Sequence, residues 1–99
     1  MWLLVDDCRN LSCDVIARTY EAGKVLLASV NWNGLCIDHD LGEKQTGYDL
    51  INWALENYRL PSKVQIVSAN PVGRENIERT LKNRGYTLEG ATWVQRVYP

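Results

Sequence analysis

Two short apolar runs in this chain each deliver acids at their C-terminal end. Trp2-Leu3-Leu4-Val5 runs into Asp6-Asp7, and Gly34-Leu35-Cys36-Ile37 runs into Asp38-His39-Asp40. A third run, Val64-Gln65-Ile66-Val67, ends in Ser68-Ala69-Asn70. Carboxylates gathered at one place repel one another unless a cation holds them, and a hard dication such as Mg²⁺ (or Mn²⁺) takes carboxylate, carbonyl and water oxygens. Asp6, Asp7, Asp38 and Asp40 are the four carboxylates that such a cation would gather. His39, the only histidine in the chain, lies between two acids, where a proton donor to a leaving oxygen would sit. Asn70-Pro71-Val72-Gly73-Arg74 reads as a loop entering a helix. The Val72 and Gly73 amides and the helix dipole would then face an anion. Gly73 would permit close approach, and the planar fork of Arg74 could clamp a phosphate, with Arg9 as a second contact.

These groups need elements that bring them together. Short apolar runs with polar ends read as buried strands. Val15 to Tyr20 is a weaker strand candidate. Thr19 as N-cap opens a helix that carries Ala22, Val25, Leu26, Ser29 and Val30 at helical spacing and ends before Asn33-Gly34. Thr46 and Asp49 form a capping-box variant, followed by an apolar face of Leu50, Ile51, Ala54, Leu55 and Tyr58, which Pro61 stops. Asn70 caps a third helix with Pro71 at N1, Ile77 and Leu81 inward, and Gly85 as its C′ residue. Thr92 to Val97 alternates as a final strand. Strands each followed by a helix describe a parallel sheet, so the fold class is α/β. In such sheets ligands bind beyond the carboxyl ends of the strands. The three polar segments all fall there.

Length and composition bound the reading further. Ninety-nine residues with 45% hydrophobic side chains make one domain over residues 1–99 and leave no length for a second. No apolar run spans a bilayer, and the start lacks a signal peptide's basic region, so a cytoplasmic protein with no membrane contact is expected. Three cysteines without a CxxC pair point to reduced thiols, with Cys36 in the sheet core and Cys8 and Cys13 in loops. A net charge of −1 gives no strong nucleic-acid footprint. The halves differ, however: residues 1–49 hold eight acids against four bases, and residues 50–99 four against seven.

With Leu4-Val5-Asp6-Asp7, Ile37-Asp38 and Val67-Ser68-Ala69 at successive strand ends, and Leu41 and Gly47 beyond the third strand, the sequence resembles the receiver domains of two-component signalling. It departs from them twice. A receiver carries a lysine before a proline at its fifth strand, where this chain offers only Arg96. The stretch between Asp7 and Thr19 is also too short for the first receiver helix. Asp38-His39-Asp40-Leu41-Gly42, Thr46-Gly47-Tyr48-Asp49 and Ser68-Ala69-Asn70-Pro71-Val72-Gly73-Arg74 are closer to the cyclic-phosphate processing receiver domain, a divergent group common in phages and bacteria. That group often has a histidine before the serine; here the position is Val67.

The resemblance implies a receiver-like (flavodoxin-like) three-layer domain with a mainly parallel sheet of about five strands, its first helix lost. It also implies a metal-assisted hydrolase that processes a cyclic phosphate, on a cyclic nucleotide or an RNA 2′,3′-cyclic end. Asp6, Asp7 and Asp38 would hold the metal. Asp38 or Asp40 would activate water or attack phosphorus, His39 would protonate the leaving oxygen, and Ser68, Asn70, Gly73, Arg74 and Arg9 would orient the phosphate. The alternative is a binding module without turnover, which sequesters a phosphorylated ligand or binds a partner protein, as a phage-encoded inhibitor would.

Overall fold

The computed structural model describes residues 1–96. Its order is β1 (Trp2–Val5), β2 (Val15–Ala17), α1 (Tyr20–Ser29), β3 (Gly34–Ile37), α2 (Gly47–Glu56), β4 (Lys63–Ile66), α3 (Pro71–Asn83), β5 (Tyr86–Glu89) and β6 (Thr92–Gln95). The strands form one sheet in the order β2-β1-β3-β4-β6-β5, parallel across the first four and antiparallel at β4-β6 and β6-β5. This is an α/β receiver-like fold. No helix among the described residues is long and apolar enough to cross a membrane.

The β1 and β3 runs are apolar at nearly every position because both faces of the sheet are covered there. Leu3, Leu4, Val5, Leu35 and Ile37 are fully buried. Leu3, Val5, Leu35, Ile37, Val64 and Ile66 share a core with Leu27 of α1, Leu50, Ile51 and Ala54 of α2, and Ile77 and Leu81 of α3. Alternate strand residues therefore face all three helices, which lie on one side. Right-handed crossovers require this, since β2-α1-β3 and β3-α2-β4 progress across the sheet in the same direction. The β1-to-β2 connection runs the other way, so it crosses the opposite face. It is the loop of residues 6–14, without a helix, and this loop is what remains of the third layer. The lost helix was legible in the sequence. The parallel β2 survives it because strands of three and four residues need little chain to return.

The helix starts follow their caps. Thr19 accepts the Ala22 amide, Thr46 and Asp49 form a reciprocal capping box, and Asn70 accepts the Val72 and Gly73 amides. Two helical faces differ from the sequence expectation. In α1 the buried residues are Gly23 and Leu27, whereas Val25 is exposed, because the core side lies one position beyond the Ala22-Val25-Leu26 row. In α2 Tyr58 leaves the apolar face altogether: it follows the C-cap at φ 56 and is 95% exposed. The Arg59 amide closes this end on the Ala54 carbonyl at 2.7 Å, the bond pattern that favours glycine in the left-handed residue. Tyr58→Gly is accordingly expected to stabilise the fold by about 1 kcal/mol by removing that strain. The check is the midpoint of urea unfolding.

The tail is a hairpin, not one strand. β5 had no alternation to announce it, since only Tyr86 is buried along it. Its turn signal is Gly90-Ala91, with Gly90 at φ 66 between the paired Glu89 and Thr92, a two-residue connection with glycine first. The final strand ends at Gln95, and Val97 lies outside the described residues. Tyr86 anchors the hairpin by donating its hydroxyl to the Pro61 carbonyl at 2.6 Å. Burial pushes its phenol up to about 12 from 10.0. The fold thus favours the protonated phenol, and this contribution is whole below pH 10 and lost as pH rises toward 12. Unfolding free energy should decline through that window, and in Tyr86→Phe the decline should be smaller.

Candidate functional site

Parallel register lines up the ends of three strands. Val5 pairs with Ile37, and Ile37 with Ile66. The ladder continues one residue further, with the Asp38 amide on the Val5 carbonyl and the Val67 amide on the Ile37 carbonyl, each at 3.0 Å. Asp6 and Asp38 emerge side by side at this edge, with Ser68 one residue past Val67 at the neighbouring strand end, and all three are buried.

Asp6 is fully buried. Its Oδ1 accepts the Cys8 and Arg9 amides at 3.1 and 3.0 Å, which turns the chain back over the sheet edge. Its Oδ2 has no hydrogen-bond partner among the described residues; the Arg9 guanidinium stands 3.5 Å away. Arg9 then spans to β4, where it donates to the Val67 carbonyl. Carboxylate and thiol ligand atoms of Asp6, Asp7 and Cys8 lie within 4.8 Å of one another. Asp38 is outside that group, and Cys8 is a member that sequence reasoning assigned only to a loop. The Asp7 carboxylate raises the Cys8 thiol above its ordinary pKa, with desolvation and Asp6 adding to it. Arg18, just past β2, holds this loop. It donates to the Arg9 carbonyl at 2.7 Å, to the Asp6 carbonyl at 3.3 Å and to the Asn10 side chain.

The β3 end is shaped by glycines on neighbouring elements. A Cβ on Gly47 would overlap the Asp38 carbonyl oxygen, and the Gly47 amide donates to the His39 carbonyl at 2.8 Å. The first turn of α2 therefore fixes the Asp38-His39 backbone. The His39 ring lies against Gly73, where a Cβ would overlap the imidazole. Gly73 thus makes room for a side chain of the site itself. His39 Nδ1, like Asp6 Oδ2, is buried without a hydrogen-bond partner among the described residues.

The remaining residues sit around this centre. Asp38 Oδ1 accepts the Asp40 amide at 3.3 Å, and Ser68 Oγ accepts the Asn70 amide at 3.1 Å, which leaves the serine hydroxyl proton available. Asp40 is exposed and receives the Asn70 side-chain amide at 3.4 Å. The Val72 and Gly73 amides differ from expectation, because both donate to Asn70 Oδ1 at 3.1 Å and are satisfied within the turn. Arg74 donates to the Ile66 carbonyl at 2.9 Å and stands 4.0 Å from Glu78. β4 pairs with β6 only at Lys63 and Val64, so the Ile66 carbonyl lacks a ladder partner and Arg74 takes it, while Arg9 takes the Val67 carbonyl just past the strand. Arg96 is at the other edge of the sheet: β6 is antiparallel, Val94 pairs with Lys63, and Arg96 bonds Glu89 at 2.7 Å. The cation beside these acids is Arg9.

A family described as Cyclic-phosphate processing Receiver domain matches residues 1–83, which ends with α3 and leaves the β5–β6 hairpin outside. No curated protein and no solved structure matches the chain.

Proposed function

The chain belongs to the cyclic-phosphate processing receiver domain family, and on that premise we propose that it is a metal-assisted phosphoesterase. It opens a cyclic phosphate with water, on a cyclic nucleotide or an RNA 2′,3′-cyclic end. The observation that carries this reading is a pair of buried polar atoms without a hydrogen bond at one edge of the sheet, His39 Nδ1 and Asp6 Oδ2, the latter faced by the Arg9 guanidinium at 3.5 Å. Leaving a buried polar atom such as His39 Nδ1 without a partner costs about 1–3 kcal/mol, and a catalytic role or a bound ion or ligand accounts for such atoms at a functional site.

Asp6 and Asp7 fit a divalent cation, Mg²⁺ or Mn²⁺, through hard carboxylate oxygens, one of them free of hydrogen bonds and shared with the Arg9 ion pair, with Asp38 at the adjoining strand end. When bound, the ion would supply positive charge to the phosphate oxygens. Arg9 would add a second cation to that charge. Ser68 would donate its hydroxyl to a phosphate oxygen, and Asn70, Gly73 and Arg74 would border the anion. Asp38 or Asp40 would take a proton from the attacking water. His39 would give a proton to the ring oxygen that leaves as the P–O bond breaks, so that water and cyclic diester become a monoester and a hydroxyl. Product assays over a panel of cyclic nucleotides and cyclic-ended RNAs, with Mg²⁺ or Mn²⁺, test this. Ring-opened monoester is expected, and a panel left intact contradicts it.

Val67 favours a second reading, since an apolar side chain stands where a second histidine would be. In that case the site binds a phosphorylated small molecule or an RNA end without turnover. Calorimetric binding that survives chelation of metal, with the ligand recovered unchanged, is its signature.

A further inference from the structure

The face that the missing helix leaves behind carries two thiols in contact. Cys36 is on β3, in register with Leu4 and Gln65, and is buried on the side away from the helices. Above it lies Cys13 of the 6–14 loop, with Sγ 3.8 Å from the Cys36 sulfur. The loop is anchored immediately beside this thiol: the Trp2 amide donates to Asp14 Oδ2 at 2.7 Å, and the Asp14 amide to the Trp2 carbonyl at 3.1 Å. The same loop carries Asp7, Cys8 and Arg9 at its other end, and Cys36 precedes Asp38 by two residues. An open hollow of about 230 Å³ is lined by Trp2, Ser12, Cys13, Cys36 and Gln65.

We propose that Cys13 and Cys36 are a redox-responsive pair, and that a low-molecular-weight disulfide such as oxidised glutathione converts them to a disulfide that straps the metal-binding loop onto β3. The chemistry balances in two exchanges. Cys13, the more accessible thiol, attacks the small disulfide as thiolate, forms a mixed disulfide and releases one small thiol. Cys36 then attacks the Cys13 sulfur, forms the protein disulfide and releases the second. Two electrons pass from the protein to the small disulfide, and the two thiol protons end on the released thiols. The order follows from access. Cys36 is buried while Cys13 is only half-buried, so Cys36 is the poorer first nucleophile but is already placed against the sulfur it must resolve. A disulfide here would tie the loop that presents Asp7, Cys8 and Arg9 to the strand that presents Asp38, and so couple oxidation state to the geometry of the site.

The test uses the purified 99-residue chain treated with oxidised glutathione, followed by free-thiol titration and peptide mapping without reduction. The expected result is a fall from three free thiols to one, a peptide linking Cys13 to Cys36, and full reversal by reductant. Cys8→Ser should still form the link, whereas Cys13→Ser, a loop change that leaves the core intact, and Cys36→Ala should not. Three thiols still free at equilibrium would overturn the proposal, as would a link that joins Cys8 or joins two chains.

Discussion

His39→Gln is expected to lower turnover of a cyclic phosphate by about 10²–10⁴-fold, the range for loss of a positioned general acid, while unfolding stability changes by less than about 1 kcal/mol. The imidazole is held by its surroundings and holds little in return. It lies against Gly73 of α3, its backbone is fixed through the Gly47 amide, and its Nδ1 makes no hydrogen bond among the described residues. Glutamine keeps polar atoms in the same space but supplies no proton near neutral pH. A structural histidine would give the opposite split, with a loss of stability and turnover reduced only in proportion to unfolded protein. Measured side by side, kcat and the urea midpoint separate the two.

Gly47→Ala carries the largest expected effect on stability, about 3 kcal/mol of destabilisation, with the site disrupted as well. In the interior of a helix alanine gains about 1 kcal/mol over glycine. Here the methyl would overlap the Asp38 carbonyl oxygen and press on Ile37, both parts of a buried strand end that cannot yield without moving the Asp38-His39 backbone. Forcing atoms into a packed interior costs roughly 1–3 kcal/mol, and displacing the hydrogen bond from the Gly47 amide to the His39 carbonyl adds about 1 kcal/mol more. The clash outweighs the helical preference. Equilibrium urea unfolding checks the sign, and a Gly47→Ala protein as stable as wild type would mean that α2 does not seat against the β3 end.

Much of this arrangement was legible in the residues. Capping side chains act locally, so Thr19, Thr46 with Asp49, and Asn70 placed all three helix starts, and Gly85 at φ 86 marked the last helix end. Buried strands announce themselves by continuous apolar runs, and their polar ends placed Asp6, Asp38 and Ser68 at one edge. What the sequence did not disclose depends on partners distant in the chain. Nothing near Gly73 tells that His39 lies against it, and nothing near Arg18 tells that it holds the Asp6 and Arg9 carbonyls. The Val72 and Gly73 amides read as free donors because an N-cap side chain and an anion compete for the same groups, and here Asn70 takes them. The direction of β6 depends on a tight Gly90-Ala91 turn after a strand with one buried residue. Its reversal carries Arg96 away from the acids and leaves Arg9 as the cation beside them.

The most direct test of the central claim is to follow a 2′,3′-cyclic nucleotide by phosphorus NMR in isotopically labelled water, with the wild-type protein and Mg²⁺ or Mn²⁺. The account predicts that the cyclic resonance gives way to a monoester carrying one solvent oxygen, and that His39→Gln slows this by the factor above. A cyclic resonance that persists unchanged with either metal, in protein shown to be folded, would contradict it.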